Sequence, residues 1–329
     1  MLNALLDTNL VYGTDPGHDN SHILLALEAG YRVFDLSPAP HTREEAVGRG
    51  LNQWLASEKN TVTNQDLRKQ LFIQMKVGLY EHLQMEDIPY DGPPYNSDDT
   101  ISSKLEKMLN SSLENLGLQY LDAWILHFIP PTTKELRETW SFMESMVLNT
   151  KKVRFLGISN VNADKLSEIL RFCTVRPLIV QNRFSLSRAK DCSYDEAVRT
   201  TCREEGIVYQ AFRVLKSNTH LLKHDVLVSA AAAYGVSTET MLFSLIVSSP
   251  RGGTQIDQVP QESSGNQITD QTKTQVVTST KVFNRMKANL SGLQSILPLE
   301  EPLRRTFGEL LLGFTQIVLE NSNIGNIVN

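Results

Sequence analysis

Cysteine is scarce in this chain: 329 residues carry only Cys173, Cys192 and Cys202. None of them forms a Cys-x-x-Cys pair or a Cys/His set at ligand spacing, which excludes a disulfide framework and a zinc site and predicts no bound metal. Basic excess is also missing. Lys and Arg number 32 against 37 Asp and Glu, and a net charge of -5 leaves nothing to neutralise a phosphate backbone or an anionic membrane surface. Neither nucleic acid nor membrane is therefore an expected partner, and a small molecule is. No stretch approaches the roughly 20 apolar residues that a membrane span needs. The opening "MLNALLDTNLVYG" lacks the basic flank and long apolar core of a secretory leader, so a reducing cytoplasmic (cytosolic) setting is predicted.

Short runs rich in β-branched and aromatic residues recur between longer helical patterns: "LVYGT", "YRVFDLS", "LFIQMKV", "AWILHFI", "VRFLGISN", "LIVQNRF", "GIVYQAF" and "QVVTST". Their nearly continuous apolar character suits parallel strands covered on both faces. Between them, "NSHILLALEAG" spaces apolar residues helically and stops at Gly30, "TREEAVGRGLNQWLAS" opens on a Thr cap, and "SEILRFC" and "YDEAVRTTCREEG" carry similar signatures. Such strand–helix alternation predicts an α/β fold, a (β/α)8 TIM barrel, in one domain over residues 1–329. A doubly wound dinucleotide-binding sheet is the competitor. It lacks its fingerprint, because "YGTDPGHD" after the first strand does not have Gly-x-Gly-x-x-Gly spacing.

Two stretches depart from the alternation. Residues 80 to 98 form a Pro- and Tyr-bearing loop after the third strand, on the face where barrel sites are built. Residues 248 to 275 are polar, Gln- and Ser-rich and aperiodic, and are predicted to be a flexible insertion before the last strand, on the opposite face. The tail "PLEEPLRRTFGELLLGFTQIVLENS" reads as a C-terminal helix whose apolar face packs on the barrel.

In such a barrel the chemistry belongs at the C-terminal strand ends. Strand two ends near Asp35, strand three carries Lys76, strand four His127, strand five ends in Ser159-Asn160, strand six in Gln181-Asn182 and strand seven in Phe212-Arg213. Each alone has a structural explanation. An acid, a lysine and a histidine on successive strands predict more: a buried Asp–Lys pair that holds the ammonium beside a reacting oxygen, with His127 as a hydrogen-bond donor.

"GYRVFD", "LFIQMK", "LDAWILH", "VRFLGISN" and "VQNRF", in this order over most of the chain, resemble the aldo-keto reductases. The resemblance implies a (β/α)8 barrel that binds NADPH (NADP) in extended form, with hydride passing from the nicotinamide to a carbonyl beside an Asp, Tyr, Lys, His tetrad. Asp35, Lys76 and His127 match three of its members. Ser159, Asn160 and Gln181 match contacts to the nicotinamide amide, and Phe212 the aromatic that stacks on the ring. Arg285 and Asn289 match positions holding the 2'-phosphate and adenine, and the usual Lys-Ser before them is replaced by Ser279-Thr280, with Lys281 a possible substitute cation.

The departure is the fourth tetrad member. Its tyrosine should fall at His41 or Thr42, and no tyrosine occurs from Asp35 to Gly48. A threonine hydroxyl is too weak an acid to replace a phenol unaided, and a missing general acid costs about 100- to 10,000-fold in rate. His127, His41, or a water held by Thr42 and Lys76 is the predicted replacement. As structural readings, His41 is a solvated loop residue and Thr42 a helix cap. Three functions stay open: NADPH-dependent reduction of a carbonyl or activated double bond of a small, specialised metabolite; a non-redox dehydratase, isomerase or cyclase on the same scaffold; and a catalytically silent binding protein.

Overall fold

A computed structural model describes residues 2–37, 43–57, 64–79, 92–186, 194–248 and 273–325. Eight strands, β1 (Leu10–Gly13), β2 (Val33–Leu36), β3 (Phe72–Val77), β4 (Leu121–Leu126), β5 (Val153–Ser159), β6 (Pro177–Arg183), β7 (Val208–Phe212) and β8 (Thr274–Thr278), pair in chain order. All pairings are parallel, and β8 returns to β1 to close a barrel. The near-continuous apolar runs are explained by this closure, since every strand is buried both inside the barrel and beneath the helices.

Two apolar layers result. Inside, Val11, Val33, Phe72, Ala123, Ile125, Ile179 and Val208 form one cluster, which Leu5 completes. Leu5 lies on a short helix, Leu2–Asp7, and is fully buried, so this segment packs with the barrel interior. Outside, the larger cluster joins strands to helices around Trp124 and Trp140, at most 1% exposed. Burying side chains of this size stabilises the fold by about 1.5–3 kcal/mol each.

The helices follow their signals closely. Helix Asn20–Ala29 is capped by Asp19 and ends on Gly30 at φ 113°, a left-handed conformation in which a Cβ would be strained. Helix Ala163–Phe172 takes in "SEILRF", stops before Cys173 and is capped by Asn162, and Glu196–Glu204 lies within "YDEAVRTTCREEG". One start differs: helix Glu44–Leu55 has Arg43 at its cap position with no side-chain cap, and Glu44 and Glu45 complement its first turn instead. Thr42, expected as that cap, lies outside the described residues, as does His41.

The predicted insertion at 248–275 is bounded more tightly than its composition suggested. Ser248 caps helix Thr238–Val247 and Thr274 opens β8, while 249–272 lie outside the described residues. In the 80–98 loop, 80–91 lie outside them too; beyond, Tyr95 is buried against the Lys104 ammonium. The tail is helical over Glu301–Gly325, with Phe307 and Leu311 buried and Phe314 edge-on to His220 and His224. Among the described residues, no single helix is long and apolar enough to cross a membrane.

Candidate active site

Side chains alternate along a strand, so every second residue faces the barrel interior. On β2 these are Val33 and Asp35; on β3 they are Phe72, Gln74 and Lys76, with the apolar member of each set in the inner cluster. The floor is therefore apolar and the level above it polar. Lys76 Nζ donates to Asp35 Oδ2 at 2.5 Å, and the two residues are only 6% and 4% exposed. A carboxylate and an ammonium removed from water in this way must neutralise one another, which fixes both in position.

His127 lies one residue beyond β4, not within it. The ladder nevertheless carries it: its N–H donates to the Val77 carbonyl at 2.7 Å, so the alternation through Ala123 and Ile125 turns it to the inner side. A Cβ placed on Gly78, two residues past Lys76, would lie 3.5 Å from the His127 Cβ. The three candidates thus share one rim of the barrel.

The carboxamide candidates occupy the neighbouring rim. Ser159, wholly buried, ends β5, and exposed Asn160 follows at φ 55°, its amide donating to the His127 carbonyl at 3.0 Å and to Ser159 Oγ at 3.3 Å. Asn tolerates this left-handed geometry better than most residues. Gln181 is 1% exposed and its amide is engaged within the barrel: its Nε2 donates to Asp35 Oδ1 at 3.0 Å and to Gln210 Oε1 at 2.9 Å. Half-buried Phe212 ends β7 with its main-chain carbonyl bonded to Phe184 N–H, and Arg213 beyond it takes a left-handed φ of 55°.

The remaining candidates follow β8. Ser279 is exposed; Thr280 accepts from the Tyr12 hydroxyl at its carbonyl and from Val282 N–H at its Oγ1, so it helps start helix Phe283–Ile296. Arg285 is exposed and has no ion pair among the described residues. Asn289 is half-buried and accepts a long 3.4 Å bond from Thr240. Lys281 reaches across to the turn after β1, where its Nζ lies 3.0 Å from Asp15 Oδ1. Burial acts to raise the Asp15 carboxyl, but Lys281, His18 and the Gly17 N–H overcome it and hold the group below the usual carboxylate range. Burial lowers the neighbouring His18 imidazole.

Strand-by-strand reading missed several polar residues here. Gln74, Gln210 and Gln275 are wholly buried and bonded to the ion pair or to one another. Their signal was present in the alternation: Gln74 stands two residues before Lys76 in β3, Gln210 two before Phe212 in β7, and Gln275 two before Val277 in β8. Among the described residues no set of three His, Cys, Asp or Glu side chains gathers as metal ligands.

Residues 13–290 match the model of the Aldo/keto reductase family, and the chain belongs to this family. Glyoxal reductase of Bacillus subtilis is 26% identical over 233 residues, covering 70% of this chain and 71% of that protein. Aldose reductase from Giardia lamblia superposes with a TM-score of 0.68 at 18% identity, over 93% of this chain and 92% of that one. A Bombyx mori aldo-keto reductase, solved in complex with NADP, gives a TM-score of 0.65 at 20% identity over 92% and 88% of the two chains. These structural likenesses speak for the barrel.

Proposed function

We propose that this member of the aldo/keto reductase family reduces a carbonyl, or an activated double bond, of a small specialised molecule with NADPH, using an acid other than tyrosine. The observation that carries the reading is the buried Lys76–Asp35 pair at the C-terminal mouth of the barrel, with His127 carried to the same rim by the bond of its N–H to the Val77 carbonyl. An ammonium fixed there is suited to an oxygen on which negative charge develops.

The cofactor fits the donor set. Ser159 and Asn160 offer hydroxyl and amide groups for a carboxamide, Phe212 an aromatic face for a ring, and exposed Arg285 a guanidinium for the 2'-phosphate. When bound, NADPH supplies the hydride that adds to the substrate carbon. As that bond forms, the carbonyl π pair moves onto oxygen, and an N–H of Lys76 stabilises the resulting charge. Asp35 accepts another Lys76 N–H and so sets the direction of the rest. His127 supplies the proton that completes the alcohol, an imidazolium being a far stronger acid than a threonine hydroxyl; a water held by Thr42 and Lys76 is the second route.

The test is titration of the protein with NADPH, followed through quenching of intrinsic fluorescence, then a panel of aldehydes, ketones and enones read as loss of the reduced nicotinamide. Saturable binding with substrate-dependent oxidation is expected. Binding without oxidation of any substrate would favour the non-redox or silent reading, and no binding would end the reductase reading.

A further inference from the structure

Beneath the ion pair, four buried glutamines form a closed hydrogen-bond set. Gln74 Nε2 donates to Asp35 Oδ1 and to Gln210 Oε1, each at 2.7 Å, and Gln181 Nε2 donates to the same two acceptors. Gln210 Nε2 donates to Gln74 Oε1 and to Gln275 Oε1, each at 3.0 Å. Gln275 Nε2 donates to the carbonyls of Leu5 and Thr8, at 2.6 and 3.0 Å. Each of the four amides therefore has both N–H bonds engaged, and all four side chains are at most 1% exposed.

The direction of this set is dictated at both ends. Main-chain carbonyls accept only, so Gln275 must turn its NH2 toward Leu5 and Thr8 and its oxygen toward Gln210. At the other end the Asp35 carboxylate takes Lys76 on one oxygen and two amides on the other, so Gln74 and Gln181 must turn their NH2 groups up. Gln210 reconciles the two ends, accepting from Gln74 and Gln181 at its oxygen and donating to Gln74 and Gln275 from its amide nitrogen. Flipping any one amide would set oxygen against oxygen in a site without water access, an unfavourable arrangement that low dielectric strengthens.

We propose that Gln74, Gln210 and Gln275 are positioning residues that link the N-terminal segment at the barrel interior to the Asp35 carboxylate, and through it set the orientation and reactivity of the Lys76 ammonium. Gln275 makes the inference sharp. It bonds Gln210 and the Leu5 and Thr8 carbonyls, and its influence on Lys76 must pass through the relay. The role rests on the proposed importance of Lys76, yet it is readable without cofactor or substrate.

The experiment is acylation of Lys76 by acetic anhydride in the unliganded full-length protein, quantified by peptide mass spectrometry across a pH series, for the wild type, Gln74→Met, Gln210→Met and Gln275→Met. Methionine keeps the volume and removes the donors. Expected are slower Lys76 acylation at fixed pH, about threefold to tenfold for Gln74→Met, because an Asp35 carboxylate relieved of an amide donor holds the ammonium more strongly, and a smaller change of the same sign for Gln210→Met and Gln275→Met, with other lysines unchanged. Folded variants with the wild-type profile at Lys76 would overturn the proposal. Should a variant not fold, selective 15N-glutamine labelling of the wild type decides: side-chain NH2 protons protected from solvent exchange are expected, and exchange as fast as in exposed glutamines would overturn it. Loss of the reductase reading would show as absent turnover with this Lys76 profile intact, so the two failures differ.

Discussion

Lys281 Nζ lies 3.0 Å from Asp15 Oδ1, which ties the cation following β8 to the turn following β1. The two side chains are 38% and 44% exposed, and Lys281 Nζ occupies the space a Cβ on Gly17 would need. On the proposed NADPH reading, Lys281 would stand in for the Lys of the family's Lys-Ser pair, and here a carboxylate engages it. Asp15→Asn should release it. NADPH affinity is expected to rise about twofold to fivefold relative to NADH, the span that an exposed ion pair of up to about 1 kcal/mol allows. Fluorescence titrations with both nucleotides measure the ratio; an unchanged ratio would remove Lys281 from phosphate binding.

Lys76→Met should lower turnover by at least about 100-fold, the loss expected for a positioned polar catalyst. It also leaves the buried Asp35 carboxylate with amide donors alone, so stability should fall by about 3–5 kcal/mol, the cost of breaking a buried ion pair by removing one partner. Asp35→Asn combined with Lys76→Met should recover much of that stability and none of the activity. Urea denaturation beside steady-state rates separates the two effects.

Thr42→Tyr would place a phenol at one of the two positions, 41 or 42, where the family resemblance puts the tetrad's tyrosine. If the acid is the missing element, reduction of simple aldehydes should rise by about 100-fold or more. A folded variant that binds NADPH and gains nothing would show that residue 42 is not the position from which a proton can be delivered.

Gly48 lies where helix Glu44–Leu55 meets helix Ile101–Leu116, and a Cβ there would stand 2.7 Å from the Asn115 carbonyl oxygen and from Leu116 backbone atoms. Backbone cannot rotate away, so Gly48→Ala should destabilise by about 1–3 kcal/mol. Gly313 in the C-terminal helix has open space at its Cβ. Gly313→Ala should therefore stabilise slightly, by about 0.5–1 kcal/mol. Thermal melts of the two variants should move in opposite directions.

His18 is fully buried, its Nδ1 accepts from the Asp15 N–H at 3.0 Å, and burial lowers its titration below the ordinary imidazole value of 6.5. Asp15 opposes that shift, while Lys281 and His22 reinforce it. As pH falls through 6.5 the unfolded chain takes up the proton first, so this group's stabilising contribution is lost progressively below that value until the folded imidazole titrates too. Half-buried His220, lowered by burial and His224, acts with the same sign. His18→Asn should flatten the acid-side slope of unfolding free energy without abolishing it. An unchanged slope would show that His18 titrates alike in both states.

The order of elements was legible because it depends on local sequence. Every apolar run read as a strand became one, and the stop at Gly30 and the C-terminal helix were local signals that tertiary packing had no reason to override. The alternation also put Asp35 and Lys76 on inward positions at adjacent strand ends, so their meeting followed from the barrel alone. Boundaries were less legible: His127 stands just past its strand, and helix Glu44–Leu55 has Arg43 at its cap position.

Sequence by itself determined a parallel (β/α)8 barrel and the rim on which its polar residues gather, since both follow from periodicity and chain order. Only the tertiary structure decided what those residues touch. Gln74 meets Gln210 across 136 positions and Gln275 meets Leu5 across 270, contacts set by how the closed sheet is staggered and by which inward side chains reach across its interior. No window of sequence contains both partners, and an amide in an apolar run looks the same whether it ends in a relay or against a single carbonyl.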